Sequence, residues 1–338
     1  MDRRRVLQGT VGGLVGASLG RFARAAAPDA VPGSATPSSE AGTGTATAVQ
    51  QPGVLPPRRE RRPRTQRLNG KMAVVSGVGC NVVTLATSDG LLLVDCGGPG
   101  DTQALFRELR GLGASRRVHT LFNTHWHPLQ TGSNEALGKD GAKIIAHDKT
   151  RLWLATPHYD PAIDRYQKAY PKAAWPTEVF FSTGRMSAGG EEIDYGYLLE
   201  AHTDGDIYVH FRGSNVLAVG HAASPWQDPQ LDWYSGGWLG GRIDALGQIY
   251  QLADDRTQIV PAVGPVVSRS AIKAEHDMLL AVYTRMVKLM LKGYSAKDMI
   301  EAGVMTGLAR SWSNPGKFVL DAYHGLWAHH DALSPAIV

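Results

Sequence analysis

Cysteine is almost absent from this chain: Cys80 and Cys96 are the only two in 338 residues. At most one disulfide is available, and cross-strand bridges demand a specific geometry. Two buried free thiols are the expectation, even in an oxidising compartment. An apolar run long enough to cross a bilayer is also missing. The stretch from Val6 to Leu19 falls short of the roughly 20 residues a spanning helix needs and is rich in glycine. No stable membrane insertion is expected, and no internal repeat is present. Positive charge is scarce where it would matter. The formal net charge is +4, but residues 1–68 hold eleven Arg against four acids, leaving 24 basic and 27 acidic residues for the rest. A nucleic-acid footprint belongs on a folded surface, whereas the run Arg58–Arg64 lies in a Pro-containing linker. Nucleic acid is therefore excluded as an expected partner. Gly236-Gly237-Trp238-Leu239-Gly240-Gly241 allows a mobile or tightly turning loop but lacks the Lys-Ser/Thr ending of a phosphate-cradling loop.

The N-terminus carries an address. Asp2-Arg3-Arg4-Arg5-Val6-Leu7-Gln8 resembles a twin-arginine export signal, and Ala23-Arg24-Ala25 offers a small-x-small cleavage site after the weak apolar stretch. The reading is a signal peptide over 1–25 and a flexible Ala/Pro/Gly/Ser/Thr tether over 26–67. One folded domain over 68–338 follows, with a helical extension from about residue 292. The expected destination is the periplasm or the exterior, reached by a chain that is already folded.

Short or alternating apolar runs at Ala73–Leu85, Leu91–Val94, Val118–Phe122, Lys143–Ala146, Tyr197–Glu200, Ile207–Phe211, Val216–Val219 and Gln258–Val260 predict strands. Helical patterns intervene at Thr102–Leu112, Asp148–Leu154, Gly240–Ala253 and Ser270–Leu291, with more helix at Ala296–Ala302 and Pro315–His329. Strands interleaved with helices predict a layered α/β domain.

The most informative segment is Asn123-Thr124-His125-Trp126-His127-Pro128-Leu129-Gln130-Thr131-Gly132-Ser133-Asn134. Two histidines one residue apart at a strand end place both imidazoles on one side, and imidazole suits zinc, copper, iron and nickel. The surroundings extend the pattern. Val82–Leu85 and Gly90–Gly97 read as a hairpin ending in Asp95-Cys96-Gly97. Ala201-His202-Thr203-Asp204-Gly205-Asp206, Asn215–His221 and Ile259–Pro265 follow in order. Together these segments resemble the metallo-β-lactamase superfamily from about Lys71 to at least Leu280.

That resemblance implies an αββα sandwich of two packed sheets with helices outside and a site at one edge. It implies one metal site built from His125, His127 and His202, all present. The second site of the family is missing, because Leu129, Gln130 and Val263 stand at its ligand positions. His221 replaces the carboxylate that normally bridges the two metals. The expectation is one zinc per chain, or none, with His221 either a fourth ligand or, one water away, an acid or base. Asp95 is expected to support a ligand imidazole, and Asp206 to act as a loop or strand-end hydrogen-bond partner. Leu129 and Val263, both apolar, would dry the vacated half of the pocket.

Two functions fit this pattern. One is a mononuclear zinc hydrolase for a small, apolar ester, lactone or lactam. The other is a non-catalytic protein that holds a ligand or partner in the vacated pocket. Aromatic residues gather at Tyr159, Tyr166, Tyr170, Trp175, Phe180 and Phe181, and again at Trp226, Trp233, Tyr234 and Trp238. Core packing is the default for most of them; the second group is expected to border the site. His119, His147, His158 and His210 are expected at surface or packing positions.

Overall fold

The computed structural model describes residues 62–330, apart from 114, 116, 162, 163 and 309. The export signal and most of the tether lie outside the described residues. The first sheet has seven strands: β1 (Arg64–Arg67), β2 (Met72–Ser76), β3 (Val82–Thr87), β4 (Gly90–Val94), β5 (Val118–Phe122), β6 (Lys143–His147) and, at its far edge, β9 (Glu178–Phe180). β1 to β4 run antiparallel, then β4, β5, β6 and β9 run parallel. Between β6 and β9 lies a small hairpin of β7 (His158–Asp160) and β8 (Arg165–Gln167). The second sheet holds β10 (Thr183–Ala188), β11 (Glu191–Tyr197), β12 (Ile207–Phe211), β13 (Val216–Gly220) and β14 (Gln258–Pro261).

Period-two alternation decides how the sheets meet. Met72 and Val74, Val83 and Leu85, and Leu92 and Val94 face Ile193, Ile207, Val209 and Phe211 across the gap between the sheets. The intervening residues Val75, Val82, Leu91 and Leu93 point outward, against Leu105 and Leu109 of α1 (Thr102–Leu109) and Leu137 of α3 (Asn134–Lys139). A single turn, α2 (Pro128–Thr131), precedes α3, and α4 (Asp148–Ala155) follows β6. On the other side Tyr208, Leu217, Val219 and Ile259 carry α5 (Leu239–Leu252) and α6 (Arg269–Met290). α7 (Ala296–Glu301), opened by a Ser295–Asp298 capping box, and α8 (Pro315–Ala328) pack Met299, Phe318, Val319, Ala322 and Leu326 onto that layer. The architecture is the αββα sandwich, with C-terminal helices added to one face. None of the described helices is long and apolar enough to cross a membrane.

Some elements differ from the sequence pattern. The run Ala73–Leu85 is two antiparallel strands, because Gly77 (φ 77°) and Gly79 (φ 107°) turn the chain between them. A Cβ on Gly79 would lie 2.5 Å from the Gly98 nitrogen. The expected strand Tyr197–Glu200 contributes only its first residue, as the end of β11; Glu200 adopts φ 49° in the turn that follows. The β10–β11 hairpin carries little apolar alternation on its outer strand and left no signal. Cys80 and Cys96 are both buried and free, and burial pushes both thiols up.

Candidate metal centre

Parallel strands bring their carboxyl ends to one edge, where side chains from different crossovers converge. His125 and His127 follow β5, His202 sits in the β11–β12 connection, and His221 follows the last residue of β13. One nitrogen from each of the four rings lies within 4.8 Å of all the others. His125, His202 and His221 are buried, and His127 is partly open.

The local causes are specific. After β5 the chain does not stay extended: Thr124 to Trp126 form a bend. Strand periodicity is therefore not what aims the two histidines. Asp95, itself at φ 61° just after β4, takes the Thr124 N–H at 2.8 Å on one carboxylate oxygen and the Thr124 hydroxyl at 2.8 Å on the other. The Thr124 Oγ1 lies 3.1 Å from His125 Nδ1, so Asp95 supports that imidazole through a threonine rather than by touching it. Burial pushes the Asp95 carboxyl up to about 7, against the pull of those hydrogen bonds. Asp206 accepts the N–H groups of His202 and Thr203, each at 2.6 Å, and so folds the His202 turn. Burial also raises it to about 7, and its other oxygen is 3.9 Å from His125 Nδ1. At the end of β13, Gly220 (φ 55°) passes so close that a Cβ would meet Thr124 Oγ1 at 2.5 Å.

The outward ring nitrogens have acceptors. His202 Nδ1 bonds the Gln230 carbonyl at 2.9 Å, and His127 Nε2 bonds an Asp232 carboxylate oxygen at 2.9 Å. Burial works against the Asp232 charge, but hydrogen bonds from His127 and Ser235 outweigh it and hold that carboxyl below its usual range. A carbonyl and a carboxylate can only accept, so these two nitrogens carry the ring protons. The opposite nitrogens, His202 Nε2 and His127 Nδ1, approach each other to 3.1 Å. His221 Nδ1 and His125 Nε2 face each other at 3.4 Å. Burial first, then neighbouring imidazoles, lowers the pKa of His125 and of His202, and burial brings His221 down to about 3. Four ring nitrogens converging this closely can hold a cation between them. Nitrogen-rich, imidazole-only sets of this kind suit zinc. All four residues fit such an ion, and second acceptors already orient two of them.

The sequence profile described as "Metallo-beta-lactamase superfamily" matches residues 75–262, more than half of the chain. The chain belongs to the metallo-β-lactamase superfamily. Solved structures agree on the fold. A metallo-beta-lactamase from Pontibacter korlensis aligns with a TM-score of 0.52 at 18% identity, over 65% of this chain and 99% of that one. The stereoselective inverting sec-alkylsulfatase Pisa1 from Pseudomonas sp. aligns with a TM-score of 0.59 at 17% identity, over 81% of this chain and 52% of its own. This chain thus spans about half of the alkylsulfatase. No curated protein matches the sequence.

Leu129, Gln130 and Val263, which the resemblance places where a second metal would bind, do not come together. Gln130 is fully buried, and neither polar atom of its side chain has a hydrogen-bond partner among the described residues. Leu129 is half-buried, with Cδ2 3.3 Å from where a Cβ on Gly98 would sit. Val263 lines a groove of about 580 Å³ with Val74, Cys80, Asn81, Pro265 and Val266. None of the four histidines lines that groove, nor does Leu129.

The imidazole cluster opens on the His127–Asp232 side, where those side chains are 22% and 21% exposed. Trp126 stacks on Trp153 (5.3 Å, 18°) and meets His127 edge-on at 4.5 Å, and Tyr234 tilts towards Trp153. Of the expected aromatic border, Tyr234 reaches His127 only by way of Trp153 and Trp126. Trp233 stacks on His324, Trp238 stacks on His329, and Trp226 is exposed beside Gly264. In the first aromatic group Phe180 packs on Tyr195 and Trp175 bonds the Tyr170 carbonyl. His147 stacks on Tyr197, His158 packs between Trp126 and Trp153, His210 is buried, and His119 bonds Thr87. The glycine segment 236–241 is a tight contact: a Cβ on Gly237 would fall 1.9 Å from the His202 carbonyl oxygen.

Sequence reasoning missed Asp232, the Gln230 carbonyl, Trp126 and Trp153. Trp126, between the two histidines, was the one with a visible signal.

Proposed function

We infer that the protein is an exported zinc hydrolase with one metal per chain, acting on a small, apolar ester-, lactone- or lactam-type substrate. The observation that carries this reading is the set of four inward nitrogens, all within 4.8 Å of one another, with those of His202 and His127 3.1 Å apart. His125, His127 and His202 would hold the ion, with His221 as the fourth nitrogen. A zinc ion there supplies Lewis-acid chemistry and acidifies water to a pKa of about 7. The chain's own residues do the rest. Asp232 and the Gln230 carbonyl lock two imidazole tautomers. Trp126, buried edge-on against His127, and Trp153 stacked on it back that imidazole with aromatic rings. His221, with its pKa brought down to about 3 by burial, carries no proton at neutral pH and is a weak base. That favours the ligand role over acid–base work, for which a pKa near the working pH is best.

The same point supports a rival. If all four nitrogens held the ion, no position would stay open, which is the mark of a structural site. The alternative is thus a non-catalytic member that binds a ligand or partner. Metal analysis of the purified protein separates the outcomes. One zinc per chain is expected, abolished by His127→Ala and left nearly intact by Gln130→Ala. Two metals per chain, or none under loading conditions, would overturn the assignment. With one zinc bound, zinc-dependent hydrolysis of an activated aryl ester supports the enzyme; its absence in wild type and in His221→Ala leaves the binding protein.

A further inference from the structure

Residues 221–232 contain no helix or strand, yet they supply His221, the Gln230 carbonyl and Asp232 to the metal centre. An irregular segment needs something to hold it, and here that is a buried ion pair. Arg242 on α5 is fully buried (0% exposed). Its Nη1 donates to the His221 carbonyl at 2.7 Å and to the Gln230 carbonyl at 3.3 Å. Its Nη2 donates to Glu275 of α6 at 3.0 Å. Glu275, also buried, accepts the Ser224 N–H with both carboxylate oxygens, at 3.1 and 2.9 Å.

We propose that Arg242, anchored by Glu275, is a positioning residue for the imidazole cluster. One guanidinium nitrogen links the main chain of one candidate ligand, His221, to the carbonyl that takes the ring proton of another, His202. Arginine's rigid fork of donors can span these acceptors; lysine's point charge cannot. Stability alone is a poor reason for such a pair, because apolar residues of similar volume often replace buried ion pairs without loss. What this pair does beyond ordinary packing is grip three backbone groups of one segment. Arg310, in the α7–α8 connection, holds the same segment from another side by donating to the Ser224 carbonyl at 2.7 Å.

The proposal rests on the zinc reading for its affinity arm but not for its spectroscopic one. The first variant is the double replacement Arg242→Met with Glu275→Met. Imidazole ¹⁵N spectra of the metal-free protein report the His202 tautomer, and competition with a chromophoric chelator reports zinc affinity. The expected result is a folded variant with near-wild-type melting, loss of the fixed Nδ1–H form of His202, and zinc binding about 10–100-fold weaker. A folded variant that keeps the tautomer and binds zinc within about twofold of wild type would overturn the proposal. Should the double variant fail to fold, Arg242→Lys, which keeps the charge opposite Glu275, takes its place under the same two criteria. If wild type takes up no zinc yet the variant alone loses the His202 tautomer, the zinc reading fails and the positioning role stands.

Discussion

Asp232→Ala removes the partner of the most open imidazole and leaves all four rings in place. In the wild type the His127–Asp232 hydrogen bond is 2.9 Å long, and its side chains are 22% and 21% exposed. A hydrogen bond to a charged group contributes about 1.5–3 kcal/mol; partial exposure points to the lower part of that range. Loss of such an outer partner lowers metal affinity by about 10–100-fold, or about 1.4–2.7 kcal/mol, which agrees. Asp232 has a second duty that must be separated. It accepts Ser235 N–H at 3.3 Å and the Ser235 hydroxyl, capping the short turn Trp233–Ser235, and losing a cap costs about 1 kcal/mol of stability. Ser235→Ala loses the hydroxyl contact and keeps the His127 partner, so it serves as the control. Asp232→Asn keeps an acceptor oxygen without the charge and should fall between the two. Zinc affinity by chelator competition and melting of the metal-free protein are the two readouts. The reasoning fails if folded Asp232→Ala binds zinc as tightly as wild type, or if Ser235→Ala loses as much affinity as Asp232→Ala.

Turnover of ordinary β-lactams should be weak or absent, since Leu129, Gln130 and Val263 stand where the resemblance expects ligands to a second metal; efficient metal-dependent turnover would refute this. Export should stop when Arg3 and Arg4 both become Lys, because a paired guanidinium is read specifically, with mature protein beginning near Ala26; an unchanged periplasmic signal argues against the twin-arginine route. Metal-free protein should lose stability as pH falls below about 6.5. The His221 pKa drops from its ordinary 6.5 to about 3 on folding, so its contribution, at most ~5 kcal/mol, is full above 6.5 and fades towards 3. His125 and His202 shift the same way. Asp95 and Asp206, raised from 3.8 to about 7, act oppositely, losing stabilisation as pH rises through that window. The three imidazoles outnumber the two carboxyls, so the net effect is a loss of stability as pH falls. A melting temperature equal at pH 7 and pH 5 would contradict this balance.

By itself, the sequence determined the layer architecture and the four histidines as a set. Strand periodicity is a local property, and so is the habit of chemistry-bearing residues to sit at strand ends. His125, His127, His202 and His221 each adjoin a short apolar run or a Gly/Asp turn, readable within a dozen residues. Tertiary structure alone decided how those rings are held. Asp232 is 105 positions from His127, and Gln230 offers a backbone carbonyl, which no side-chain pattern can announce. Arg242 and Glu275 sit on helices whose periodicity marks them only as helical; burial and the irregular segment between Ser224 and Asp232 give them their role. The same holds for the open side: Trp126 and Trp153 stack only because β6 and α4 bring the second tryptophan beside the β5 bend. Which imidazoles cluster is written in short stretches of chain, while their orientation, access and support come from contacts between distant segments, which form only when the whole sandwich closes.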